Sequence, residues 1–256
     1  MQWTIFLLLF CATNAVLDGV ERRLGEYPSL VSLKVFFGSS QFLCGGGILT
    51  NNHVVTAAHC LEMYGERADF VLVTIGDVNI SKSDDGELIL FSSEWKLHPF
   101  YYRESVSMND IAIIRLPENV SDSSIQAQIN QRPNFPKKCV VSGWGVTEDG
   151  SYPHTARKAH LLLDWVQYGH RRLLRGKFIA GSPCSGDSGS PVFCDNKLVG
   201  VLSELTSFDS RRSKRSNKMA KECARYPYVL VTPIDTLCDN TSSSSSLFHF
   251  AEICKS

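Results

Sequence analysis

Apolar residues along this chain gather in short runs separated by turn-forming ones. Leu30–Phe37, Val54–Ala58, Phe70–Ile75, Ile111–Leu116 and Lys197–Leu202 each stand out against flanking Gly, Pro, Asn and Ser. Runs this short, at this spacing and with few stretches of helical period, predict many antiparallel strands folded into barrels or sandwiches. Two stretches read instead as helices, Asp164–Leu174 and Leu247–Cys254, the second preceded by a low-complexity connector at Ser242–Ser246. No repeat of solenoid period interrupts this pattern.

The first apolar run differs from the others. Thr4 to Ala12 is continuous and gives way to small and polar residues ending at Ala15, which reads as a secretory signal peptide over residues 1–15, cleaved after Ala15. It is too short to span a bilayer, and no later run is long enough. The mature chain, residues 16–256, is therefore expected to be soluble, secreted and extracellular. The 256 residues suffice for one large domain or two small ones, and a pair of β-barrels of this size commonly folds as one unit. Charge adds no partner, since 26 basic and 26 acidic side chains give a net charge of +0, and no global field favours nucleic acid or a membrane. Local charge is another matter: Asp209–Lys221 carries Arg211, Arg212, Lys214, Arg215, Lys218 and Lys221. That segment reads as a solvated loop, a dibasic processing site, or a patch that holds a polyanion through Arg211 to Arg215.

Of nine cysteines, Cys11 lies in the leader, and the others are Cys44, Cys60, Cys139, Cys184, Cys194, Cys223, Cys238 and Cys254. An even set in an exported chain, with no CxxC pair, points to disulfides and not to metal. Asn79, Asn119 and Asn240 each open an Asn-x-Ser/Thr sequon, a glycosylation signal in such a chain.

The candidate chemistry centres on Cys184-Ser185-Gly186-Asp187-Ser188-Gly189-Ser190-Pro191. A serine between glycines, preceded by an acid, suits a nucleophile on a tight loop whose amides face a developing oxyanion, although the same residues also make ordinary turns. Thr56-Ala57-Ala58-His59-Cys60 places a histidine after an apolar strand, and Asn109-Asp110-Ile111-Ala112 places an acid at the start of another. Singly, His59 reads as a structural histidine and Asn109-Asp110 as a turn. Together, in the order His59, Asp110, Ser188, they are the three parts of an acyl-transfer site.

In that order and context the chain resembles the trypsin- and chymotrypsin-like serine proteases. Tyr27-Pro28-Ser29-Leu30-Val31-Ser32-Leu33, Cys44-Gly45-Gly46-Gly47-Ile48-Leu49, His98-Pro99, Gly143-Trp144-Gly145 and Leu198-Val199-Gly200-Val201 sit where the family has its strands, so the likeness runs from Val16 to about Pro233. The resemblance implies an all-β fold of two six-stranded antiparallel barrels with a C-terminal helix. It also implies a monomer that hydrolyses protein or peptide substrates, with no cofactor and no metal. Ser188 would attack the scissile carbonyl, His59 would carry the proton, Asp110 would orient the imidazole, and the amides of Gly186 and Ser188 would form the oxyanion hole. Matching cysteines imply the pairs Cys44–Cys60, Cys139–Cys194 and Cys184–Cys223. Cys238 and Cys254 remain, to bridge the serine-rich tail or to join two chains. Asp77, Asn79, Asp84 and Glu87 lie near positions where some members bind calcium, and read equally as a solvated acidic loop.

Departures from the family define what is particular to this chain. Family members start their active form at Ile-Val-Gly-Gly, where the new amine pairs with the acid before the nucleophile; here the matching stretch is Val16-Leu17-Asp18-Gly19, with no basic activation site ahead of it. Signal cleavage would expose Val16 directly, to pair with Asp187. Ser182 falls where trypsins carry an acid at the pocket base. Ser-Trp-Gly appears as Ser203-Glu204-Leu205, Ser203 matching the residue that supports the triad acid, and Pro-Gly appears as Pro227-Tyr228. Leu205 and Tyr228 in place of glycine walls imply small uncharged residues at the cleavage position, or a closed pocket. Ser190 in place of glycine implies strain if the site needs an unusual backbone angle. The alternative to an endopeptidase is a weakly active or inactive homologue that acts as a binding or regulatory protein.

Overall fold

The computed structural model describes residues 19–23, 25–76, 79–80, 87–103, 107–206, 223 and 225–237. The expected signal peptide, Val16, the basic segment, Asp77, Asp84, Cys238, Cys254, Asn240 and the predicted helix Leu247–Cys254 lie outside the described residues.

Two antiparallel sheets make the body. The first has the spatial order Leu88–Ser92, Phe70–Ile75, Leu30–Phe37, Ser40–Thr50, His53–Thr56, Ala112–Arg115, Trp95–Leu97. The second runs Val20–Glu21, Arg157–Tyr168, Lys137–Gly143, Pro191–Cys194, Lys197–Thr206, Tyr228–Pro233, Arg171–Ala180, and the last strand pairs back onto Arg157–Tyr168. The second sheet is thus a closed six-stranded barrel with Val20–Glu21 attached outside. The first is a seven-stranded curled sheet whose edges do not pair among the described residues, which corrects the expectation of two closed six-stranded barrels. At its seam side-chain bonds take the place of a ladder: Ser92 Oγ donates to Arg115 O at 2.7 Å.

Strand formation follows from residues that alternate between core and solvent. In Arg157–Tyr168, Ala159, Leu161 and Leu163 are buried while His160 and Leu162 are exposed, the period of two that a half-buried strand requires. The predicted helix Asp164–Leu174 is instead a hairpin in which Val166 faces Leu173 and Trp165 faces Leu174. Gly169 turns it with φ +58°, and Gly169-His170 is the two-residue loop of a tight hairpin that opens on glycine. Val166 and Leu173, seven residues apart, fit both one face of a helix and a folded hairpin, and the glycine decides for the hairpin. Apart from Cys223, which lies in a helix, the helical elements among the described residues are short 3-10 turns, including Ala58–Cys60 and Ile234–Leu237.

Each sheet encloses its own core, one around Val31, Leu33, Val54 and Val73, the other around Leu161, Leu163, Val192 and Val231. A third cluster joins them: Leu49, Val55, Ile111 and Ile113 from the first sheet pack with Phe193, Leu198 and Val201 from the second. Burial of each such side chain stabilises the fold by about 1.5–3 kcal/mol, so this seam fixes the two halves against each other. Residues that project from the seam are therefore held rigidly, whichever half they come from.

Three disulfides form as the resemblance implied: Cys44–Cys60, Cys139–Cys194 and Cys184–Cys223. The first ties the turn that carries His59 to the strand Ser40–Thr50, and the third braces the loop that carries Ser188.

Candidate active site

His59 stands on the one-turn helix Ala58–Cys60 directly after the strand His53–Thr56. Asp110 enters the same seam before Ala112–Arg115, the neighbour of that strand. Asn109 turns the chain there with φ +50°, a left-handed conformation that asparagine tolerates, and its Nδ2 donates to Phe100 O at 2.9 Å. The turn reading and the catalytic reading of Asn109-Asp110 thus hold together, because the turn aims the acid inward.

The Asp110 carboxylate is fully buried and accepts from three directions. His59 Nδ1 lies 2.7 Å from Oδ2, the His59 backbone N–H donates to Oδ1 at 2.9 Å, and Ser203 Oγ donates to Oδ2 at 2.5 Å. Burial alone would raise its carboxyl. The charge of His59 and these hydrogen bonds outweigh burial and hold it below the ordinary carboxylate range. An acceptor fixed at Nδ1 keeps that nitrogen protonated and leaves Nε2 free to take a proton.

Ser188 lies on the loop between Cys184 and Pro191, which is pinned from both halves. Gly45 N–H donates to Ser188 O at 2.8 Å, and Gly189 N–H to Leu202 O at 2.8 Å. Gly189 has φ +76°, and a Cβ there would lie 2.6 Å from Gly45 O and 2.9 Å from Ala57 N, so glycine is required on both counts. The loop is thereby pressed against the strand that leads to His59. Among the described residues the N–H groups of Gly186 and Ser188 donate to no protein acceptor. Ser188 Oγ makes no hydrogen bond to the imidazole in this structure, but both residues line one cavity. Such bonds commonly shorten only when substrate is bound.

Asp187 is buried beside the serine, its carboxylate held by the N–H groups of Gly145 at 2.7 Å and Cys184 at 2.9 Å. A side chain at Gly145 would occupy the carboxylate's own position, which explains the second glycine of Gly143-Trp144-Gly145. Burial pushes the Asp187 carboxyl up to about 6 despite those two bonds. Ser190 keeps an ordinary backbone angle, so glycine's absence brings no strain there; its buried Oγ, however, has no hydrogen-bond partner among the described residues.

The cavity at the seam has a volume of about 270 Å³. Ser188, His59 and Ser203 meet there, with Leu205, Tyr226 and the Cys184–Cys223 bridge on the wall. Of the expected pocket residues, Ser203 and Leu205 line it, while Ser182 and Tyr228 stand outside the lining. Ser182 Oγ donates to Pro183 O at 3.4 Å, and the Tyr228 ring lies under the Arg175 guanidinium at 4.3 Å. Sequence reasoning missed Tyr226 and Ser107 as lining residues and weighed Glu204 only as a break in a motif; its charge, next to Ser203, was the available signal. Asn119 is exposed, and Asn79 is half-buried and bridges to Thr155.

The seam between two β-halves, a carboxylate-clamped histidine and a serine on a glycine-rich loop define the class, and the chain belongs to the trypsin family of serine proteases, whose sequence model matches residues 16–223. It is 32% identical over 222 residues to "Serine protease 1" of Canis lupus familiaris, covering 79% of this chain and 87% of that protein. Similarity extends to "Chymotrypsin-like elastase family member 1" of Homo sapiens, 31% identical over 223 residues, covering 78% of this chain and 84% of the relative. "Trypsin alpha" of Drosophila melanogaster is 30% identical over 204 residues, covering 73% and 76%. No helix among the described residues is long and apolar enough to cross a membrane.

Proposed function

We propose that this chain is a secreted serine endopeptidase that cleaves after small uncharged residues, through an acyl-enzyme on Ser188. The observation that carries this reading is the triple grip on Asp110, which presents His59 with one defined tautomer in the cavity that Ser188 lines. Ser188 Oγ attacks the scissile carbonyl carbon and its proton passes to His59 Nε2. The resulting oxyanion is met by the N–H groups of Gly186 and Ser188, each of the kind worth about 10²–10³ in rate. As the carbon–nitrogen bond breaks, His59 returns the proton to the leaving amine. Water then attacks the ester with His59 again as base, and the acid product leaves Ser188 free. Asp110 stays ionised throughout, stabilising the imidazolium formed in both halves. No metal or cofactor takes part.

Narrow specificity follows from size. The cavity that His59 and Ser188 line has a volume of about 270 Å³, and Leu205 stands on its wall where a glycine would leave room for a large side chain. Secretion rests on the leader over residues 1–15, and of the two described sequon asparagines Asn119 is the exposed one and the better placed to carry a glycan.

A fluorophosphonate probe tests the reading directly. Correctly processed wild-type protein should label and Ser188→Ala should not; a wild type that fails to label overturns the assignment. A peptide library tests the pocket. Cleavage should follow Ala, Ser or similarly small residues, and a preference for Lys or Arg at the residue whose carbonyl is attacked would show that the wall at Leu205 has been misread.

A further inference from the structure

Glu204 is the residue that the mechanism above leaves unused. It follows Ser203, whose hydroxyl holds Asp110, and it lines the same cavity as His59 and Ser188. Its carboxylate reaches across the seam: Oε1 accepts from Ser107 N–H at 2.9 Å and Oε2 from Ser107 Oγ at 3.4 Å. Ser107 lies three residues before Asp110, so this contact ties the cavity lining to the segment that carries the triad acid.

The charge on that wall is not balanced. Two carboxylates, Asp110 and Glu204, approach one imidazole, and Asp110 already holds it. Among the described residues no Lys or Arg forms an ion pair with Glu204. Burial raises its carboxyl above the ordinary range and the Asp110 charge adds to that, against the hydrogen bonds from Ser107. Among the described residues its hydrogen bonds come from Ser107 alone and its favourable charge from His59, which Asp110 already holds, so a cation brought by a ligand would give it a direct partner.

Resting on the reading of the site as an endopeptidase cleft, we propose that Glu204 forms a cation-selecting subsite. It takes a Lys or Arg of the peptide at a position on the acyl side of the scissile bond, other than the residue whose carbonyl Ser188 attacks. The substrate class is then a peptide with a small residue at the cleavage point and a basic residue shortly before it. The small cavity sets the first requirement and Glu204 the second.

Ser188→Ala protein allows the subsite to be tested without turnover. Fluorescent alanine-based hexapeptides with Lys, norleucine or Glu at each of the positions before a central Ala are compared by anisotropy. At one position Lys should be favoured over norleucine by about tenfold, the effect of a charge-assisted hydrogen bond, with Glu weakest. Ser188→Ala combined with Glu204→Gln should bind the Lys and norleucine peptides within about twofold of each other, and with Glu204→Lys should favour Glu. No position at which Lys is favoured, or a preference that survives Glu204→Gln, overturns the proposal. In the active protein, Glu204→Gln should lower kcat/KM for the Lys peptide selectively. An equal fall for Lys and norleucine peptides would mean that Glu204 acts through His59 or the fold, and would also overturn it. A wild type that never labels with fluorophosphonate yet shows the Lys preference separates failure of the peptidase reading from failure of the subsite.

Discussion

Asp110→Asn should lower kcat/KM by about 10⁴ while leaving the protein folded, the size of effect that the same change has in this class of triad. The structure explains why neither orientation of the amide can substitute for the carboxylate. If the amide nitrogen takes the place of Oδ2, it points a donor at His59 Nδ1; that nitrogen must become the acceptor, and the proton moves to Nε2, where it blocks attack by Ser188. Ser203 Oγ, now 2.5 Å from a nitrogen, would also lose its acceptor. If the amide is flipped, its oxygen still orients Nδ1, but its nitrogen faces the His59 backbone N–H, two donors at 2.9 Å in a site with no solvent exposure. Such an unmade buried bond costs about 1–3 kcal/mol, so the unproductive tautomer or a displaced histidine results either way. Steady-state kinetics on a cleaved peptide, with circular dichroism to confirm folding, would check it. A loss below about tenfold would mean that His59 does not depend on Asp110 for its tautomer.

Much of this site was legible because its parts are local in sequence. The Gly186-Asp187-Ser188-Gly189 loop, the His59 turn and the Asn109-Asp110 turn each carry their own geometry in a few residues, and the cysteines that brace them were paired by family likeness. The alternation in strands such as Arg157–Tyr168 also marks an all-β fold. What escaped was what depends on contact between distant segments. Asp164–Leu174 has apolar residues at positions that suit a helix face, and only the pairing of Trp165 with Leu174 across Gly169 makes it a hairpin. Motif positions point to Tyr228 as a wall of the pocket, but which side of its strand faces the cavity depends on the packing of distant segments. Tyr226 lines the cavity and Tyr228 stacks under Arg175. Closure of one sheet and not the other was likewise unreadable, because it depends on whether edge strands meet after every loop is in place.

Lengthening the chain by one residue ahead of Val16 should make stability fall as pH rises from about 4 to about 7, relative to the chain that begins at Val16. Asp187 is the cause. Among the described residues no cation lies beside it, and burial pushes its carboxyl from 3.8 up to about 6. A carboxyl whose folded pKa is raised binds more protons folded than unfolded between those two values, so stability declines across that window. The decline is complete above the folded value and amounts to about 3 kcal/mol. We propose that the free amine of Val16 supplies the missing positive charge. With the amine in place the ionised carboxylate is the favoured form, the folded pKa no longer exceeds the unfolded one, and the decline disappears. Urea unfolding of both forms at pH 4 and pH 7 isolates this term, since every other titrating side chain is common to the two and the terminal amine, with an ordinary pKa of about 7.7–8.0, stays mostly protonated over that range. Asp187→Asn in the lengthened form should remove the extra pH dependence. The lengthened form should also label with fluorophosphonate about 10² more slowly, because the loop that presents the Gly186 and Ser188 amides is anchored through Asp187. Identical pH profiles for the two forms, or a secreted protein whose terminal sequencing begins before Val16, would show that this chain orders its oxyanion loop without the amine. The Gly145 and Cys184 amides would then be what keeps Asp187 in place.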